Sequence, residues 1–113
     1  MNVLSGRVFH FGQGRDDPIS SLNIALRSTQ PKRGSLVVLP EAFNFGRLYS
    51  EAGGPRVGKD QLIEDLQNKG RSSDLSFVVG ILEPMAGETF VYNSAYFIDG
   101  SGAYLMCRKM SDD

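Results

Sequence analysis

The sequence predicts a mixed α/β fold over a single domain, residues 1–113. Three observations carry the prediction. Short apolar runs recur with the length and alternation of strands. An amphipathic stretch with helical spacing and a second, short helical stretch separate the first three of these runs. A tight Asp99-Gly100-Ser101-Gly102 turn joins the last two. The length suffices for one modest domain and is too short for two.

Taken in order, residues 4–11 (LSGRVFHF) read as a first strand, and GQGRDD after it as a turn. Asp17-Pro18 opens a helix, with an acid at the N-cap and proline at the first helical position. Ile19, Leu22, Ala25 and Leu26 form its apolar stripe, and Pro31 to Gly34 stop it. Residues 35–39 (SLVVL) come next as a strand expected to be buried on both faces. Residues 40–58 form a loop rich in glycine and aromatics, long for so small a domain and so a functional candidate. A short helix from Lys59 to Lys69 should end at Gly70 as its C-cap. Strands are expected at 75–83, 91–99 and 103–109, the last two as a hairpin.

This order constrains direction. Strands joined by helical crossovers run parallel, and hairpin-linked strands antiparallel. The last strand should therefore point the same way as strand 35–39. Open α/β sheets bind ligands at the carboxyl ends of their parallel strands. Glu41 and Lys109 lie at the ends of these two co-directional strands, so an acid and a base should meet there, their charged atoms about 4–6 Å apart.

Composition excludes several classes. A net charge of −1 with scattered basic residues leaves no footprint for nucleic acid or an anionic membrane. No apolar run is long enough to span a bilayer, and the opening residues lack the pattern of a signal peptide, so a cytoplasmic setting is expected. One cysteine, Cys107, and one histidine, His10, give neither a disulfide nor a zinc cluster. GQGRDD lacks the third glycine of a dinucleotide fingerprint and places two acids where a pyrophosphate would sit. Gly53, Gly58 and Lys59 match the spacing of a phosphate loop, but Asp60 stands where a hydroxyl is needed. No cofactor and no metal is expected.

The pieces LVVLPEAFNFG, FVVGILE, VYNSAYFIDGSG and CRKM, in that order and spacing, resemble the nitrilase or carbon–nitrogen hydrolase superfamily. Gln13, Asp16-Asp17 and Asn23 also look like its opening. The resemblance implies the N-terminal half of a nitrilase-like α-β-β-α sandwich, a mixed sheet with two helices. It further implies Glu41 as general base, Lys109 as catalytic lysine, and a small amide or nitrile as substrate. The family's cysteine nucleophile lies on a later strand-to-helix elbow, beyond this stretch. Cys107 is instead expected to be a buried, unreactive thiol on the same face as Lys109. Glu83 is expected to be a structural acid. Such a partial domain should leave an apolar sheet face open and should self-associate or take up a complementary half. A non-catalytic binding or interaction module reusing the half-fold is the alternative from a different class.

Overall fold

The computed structural model describes residues 18–41, 43–44, 57–84 and 91–111. The strand expected over 4–11, with His10 and the turn carrying Gln13, Asp16 and Asp17, lies outside the described residues. In chain order the elements are α1 (Pro18–Thr29), β1 (Leu36–Val38), α2 (Lys59–Ser73), β2 (Ser76–Pro84), β3 (Val91–Asp99) and β4 (Gly102–Ser111). The strands form one mixed sheet in the order β1-β2-β3-β4. β1 runs parallel to β2, whereas β2–β3 and β3–β4 are antiparallel. β4 therefore points the same way as β1, as the connections require. The result is a compact α/β fold, and no helix among the described residues is long and apolar enough to cross a membrane.

One face of the sheet holds the core. Phe77, Val79 and Ile81 alternate along β2, and Tyr96 and Ile98 along β3, all on the same side of the pleat. Leu62 and Leu66, one helical turn apart on α2, and Leu22 of α1 complete a single apolar cluster with them. Burying each such side chain contributes about 1.5–3 kcal/mol, so this cluster is the main source of stability. The opposite face is more open. Val38 of β1 is 69% exposed and Tyr104 of β4 is 51% exposed. The expectation that strand 35–39 is buried on both faces is thus corrected: Leu36 and Val37 are half-buried, with Val37 packed against the core, and Leu39 beyond the strand is buried in it.

A second correction concerns Gly70. The helix does not end there but continues to Ser73, and Asp74 caps it in the left-handed conformation (φ 53°, ψ 53°). Gly70 serves close packing instead. A Cβ at this position would lie 2.6 Å from the Gly100 nitrogen and 2.9 Å from the Asp99 carbonyl carbon. The helix thereby rests directly on the β3–β4 turn. Arg71 reinforces that contact by donating from Nη1 to the Gly100 carbonyl at 3.1 Å. The turn is closed by Asp99, whose Oδ1 accepts from the Ser101 hydroxyl, the Ser101 amide and the Gly102 amide. Those bonds hold the Asp99 carboxyl below its ordinary range.

Replacing Gly70 with alanine sets two effects against each other. Helix propensity favours alanine by about 1 kcal/mol. Overpacking against backbone atoms that cannot rotate away costs about 1–3 kcal/mol. Because the clash is with backbone, Gly70→Ala is expected to destabilise the fold, read as a lower urea midpoint at unchanged slope.

Candidate active site

The chain leaves β1 still bonded to β2, but not as a regular strand. Leu39 donates its amide to the Val78 carbonyl at 2.8 Å, and the next such bond to β2 is from Phe43 to the Gly80 carbonyl at 2.9 Å. A regular ladder would bring residue 41 to Gly80, so the segment carries two residues in excess. Pro40 has no amide to donate and its ring favours the excursion. Glu41 is lifted out of the ladder and exposed.

Asn44 ends the excursion. It is 2% exposed, and its side chain imitates a strand. Nδ2 donates to the Leu82 carbonyl at 2.9 Å, and Oδ1 accepts from the Leu82 amide at 3.0 Å. Its own carbonyl accepts from the Val57 amide at 3.1 Å, which ties the two ends of the long loop together. Both polar groups of a buried strand residue are satisfied by one side chain, and the position of Glu41 results from that clamp.

Lys109 approaches from the β4 end of the strand order, on the same face of the sheet. It pairs with Asn93 on β3, and Cys107 pairs with Ala95. Glu41, Lys109, Cys107 and Asn93 line one cavity of about 310 Å³, with Leu39 at one wall and Val78, Gly80 and Ala95 in its floor. By strand alternation this is the face opposite the core, so the cavity and the main packing occupy different sides of the sheet. The directly opposed pair Gly80 and Ala95 supplies almost no side-chain volume, which makes the hollow.

Glu41 and Lys109 thus share a cavity but not an ion pair. Among the described residues the ion pairs within 4.0 Å are Lys59–Glu83, Lys69–Asp65 and Arg108–Glu83. The reason is geometric: β1 and β4 are three strand spacings apart, about 14 Å. Long side chains reaching in from both ends leave room between them for a small ligand. Cys107 corrects the expectation of a buried thiol, because it is exposed and faces this same cavity. β4 ends the four-strand order, so no neighbour among the described strands covers it. Among the described residues no three His, Cys, Asp or Glu side chains gather as a metal site.

Glu83 lies on the opposite, helix-side face, its side chain 11% exposed. Oε2 accepts from Lys59 Nζ at 2.7 Å, and Oε1 accepts from Arg108 Nη2 at 2.8 Å and from the Ser94 hydroxyl at 2.5 Å. The Tyr96 hydroxyl adds a longer bond at 3.3 Å. Burial pushes this carboxyl up, but the bonds from Lys59, Ser94 and Arg108 together prevail and bring it down to about 2. Lys59 is raised in turn, chiefly by its bond to Glu83. The near-match to a phosphate loop thus has its lysine committed to a carboxylate.

Sequence reasoning identifies Glu83 as structural but misses its partners and misses Asn44. The alternation of Ser94 with Tyr96, on the same face as Glu83 of the neighbouring β2, is the available signal. Asn44 leaves none, because its partner is backbone 38 residues away.

The depressed carboxyl of Glu83 makes stability depend on pH. Its stabilisation is fully present above the ordinary value of 4.5 and is lost as pH falls through about 2. More than a third of the Lys59 and Arg108 side chains is exposed, and solvent screening reduces the effect to on the order of 1–2 kcal/mol. Urea midpoints measured from pH 5 to pH 2 should fall, and the fall should be shallower in Glu83→Gln.

Comparison of this chain with protein-family models, with curated proteins and with solved structures finds no match.

Proposed function

We propose that residues 1–113 are the N-terminal part of a nitrilase-like carbon–nitrogen hydrolase acting on non-peptide amides or nitriles. The observation that supports this best is that Glu41 and Lys109 line one cavity, each from beyond or at the end of one of two strands that run the same way. In this reading a cysteine from outside these residues is the nucleophile. Its sulfur bonds to the amide carbon while its proton passes to the Glu41 carboxylate. The Lys109 ammonium donates to the oxygen that gains negative charge, and protonated Glu41 then returns its proton to the departing amine. Water releases the acyl group from sulfur with Glu41 again as base. With a nitrile, the first adduct is a thioimidate and the charge to be stabilised forms on nitrogen.

The roles suit the surroundings. Glu41 and Lys109 are exposed and have no ion-pair partner within 4.0 Å among the described residues, so neither must break a salt bridge to act. A floor of Val78, Gly80 and Ala95 is apolar and shallow, fit for a small acyl group. The chain by itself is expected to give only background rates with small amides, N-carbamoyl compounds and nitriles, and Cys107→Ser should change nothing. Supplied with a cysteine-bearing complement, it should turn over, and Glu41→Gln or Lys109→Met should each lower kcat by about 10²–10⁴-fold. Turnover by the lone chain that Cys107→Ser abolishes, or an active assembly indifferent to both variants, would overturn the reading.

A non-catalytic interaction module is the second reading, favoured by the exposed apolar side chains Val38, Tyr104, Leu105 and Met106. Both readings call for association, with a second copy or with a complementary half. Sedimentation over a range of concentrations should show self-association; a monomer throughout would remove the support for the second reading.

A further inference from the structure

Six consecutive β4 residues, Tyr104 to Lys109, are exposed. Burial therefore does not decide which of them faces which side, and a strand of this kind is weakly held in register. Its register in fact changes midway. Tyr96 pairs with Leu105 but Ala95 pairs with Cys107, so Met106 is an extra residue with no partner on β3. If the first register continued, Lys109 would stand opposite Tyr92 and Arg108 opposite Asn93. Lys109 and Cys107 would then face the helix side, and Arg108 the cavity. The bulge reverses this, and bulges next to functional sites re-aim side chains in this way.

A bulge leaves a residue unpaired, so something must favour it over the regular ladder. Arg108 does. In the observed register it lies opposite Ser94 and reaches the helix-side network. Nε donates to the Ser94 hydroxyl at 3.1 Å, and Nη2 donates to Glu83 Oε1 at 2.8 Å and to the Tyr96 hydroxyl at 3.3 Å. The guanidinium carbon also stands 5.0 Å from the Tyr92 ring centre. All of these would be lost if β4 slipped by one residue, because Arg108 would turn to the other face.

We infer that the Glu83–Arg108 contact is a register lock for β4, and that both are positioning residues holding Lys109 in the cavity; its importance for turnover rests on the reading of Lys109 above. Glu83 would act through the sheet, on the face opposite the chemistry.

Cys107, the one thiol of the chain, reports the register. In the observed register it is exposed at the cavity; after a slip it would face Ser94 and the tyrosines on the helix side. Arg108→Ala is the variant of choice, because Glu83 keeps Lys59, Ser94 and Tyr96 as partners and no buried charge is stranded. The expected result is cross-strand NOEs from Asn93 moving from Lys109 to position 108, and those from Ser94 moving from position 108 to Cys107. Deleting Met106 makes the ladder regular while leaving Arg108 opposite Ser94 and Lys109 opposite Asn93. In that background Arg108→Ala should leave both readouts unchanged. Asn93–Lys109 NOEs that persist in Arg108→Ala would overturn the lock. If the register shifts as described but Lys109→Met leaves a complemented enzyme fully active, the lock stands and the catalytic reading falls.

Discussion

The carboxylate of Glu83 is the interaction on which most of the arrangement depends. It sits where α2, β2, β3 and β4 meet, its side chain 11% exposed, and leaving its charge unpaired there would cost stability. Lys59 from the first turn of α2 and Arg108 from β4 approach its two oxygens separately. Lys59 is otherwise poorly placed, since a cation at a helix N-terminus opposes the helix dipole, and the carboxylate offsets that. One acid thereby ties a helix to the sheet and β4 to β2. Ser94 and Tyr96 fill the remaining acceptor sites, so the group is satisfied rather than merely neutralised.

The sheet separates two tasks by its pleat. Residues of one parity along β2 and β3 pack under the helices, and residues of the other parity floor a cavity. The cavity exists because Gly80 and Ala95 oppose each other and because Pro40 and Glu41 leave the ladder. Asn44 is the counterweight to that departure. By bonding both polar groups of Leu82 it returns the chain to β2 without a regular strand, and the acid between is held outward. Backbone geometry, more than any side-chain contact of its own, decides where Glu41 stands.

Much of this architecture is legible in the residues. Alternation over 91–99 places β3 to the residue, the Asp-Gly-Ser-Gly turn places the hairpin, and the crossover helices set β1 parallel to β2. Strand direction alone assigns the acid and the lysine to one region of the sheet. Other features mislead for identifiable reasons. Gly70 has the look of a C-cap, because a helix-ending glycine and a glycine yielding space to a turn are the same letter. Cys107 has the look of a core thiol because an apolar strand is usually buried, and nothing in AYLMCRK announces that β4 ends the strand order.

Sequence by itself determined the features set by period and connection: the identity and order of the elements among the described residues, their directions, and the parity of residues within each regular strand. Tertiary structure decided the features that depend on distance between segments. Three strand spacings keep Glu41 and Lys109 from pairing and leave a cavity instead. A carboxylate on the far face, with an unpaired Met106, decides which way Lys109 faces. Local pattern cannot carry such information, because a bulge shifts parity at no cost to composition, and it is held by an acid 25 residues away.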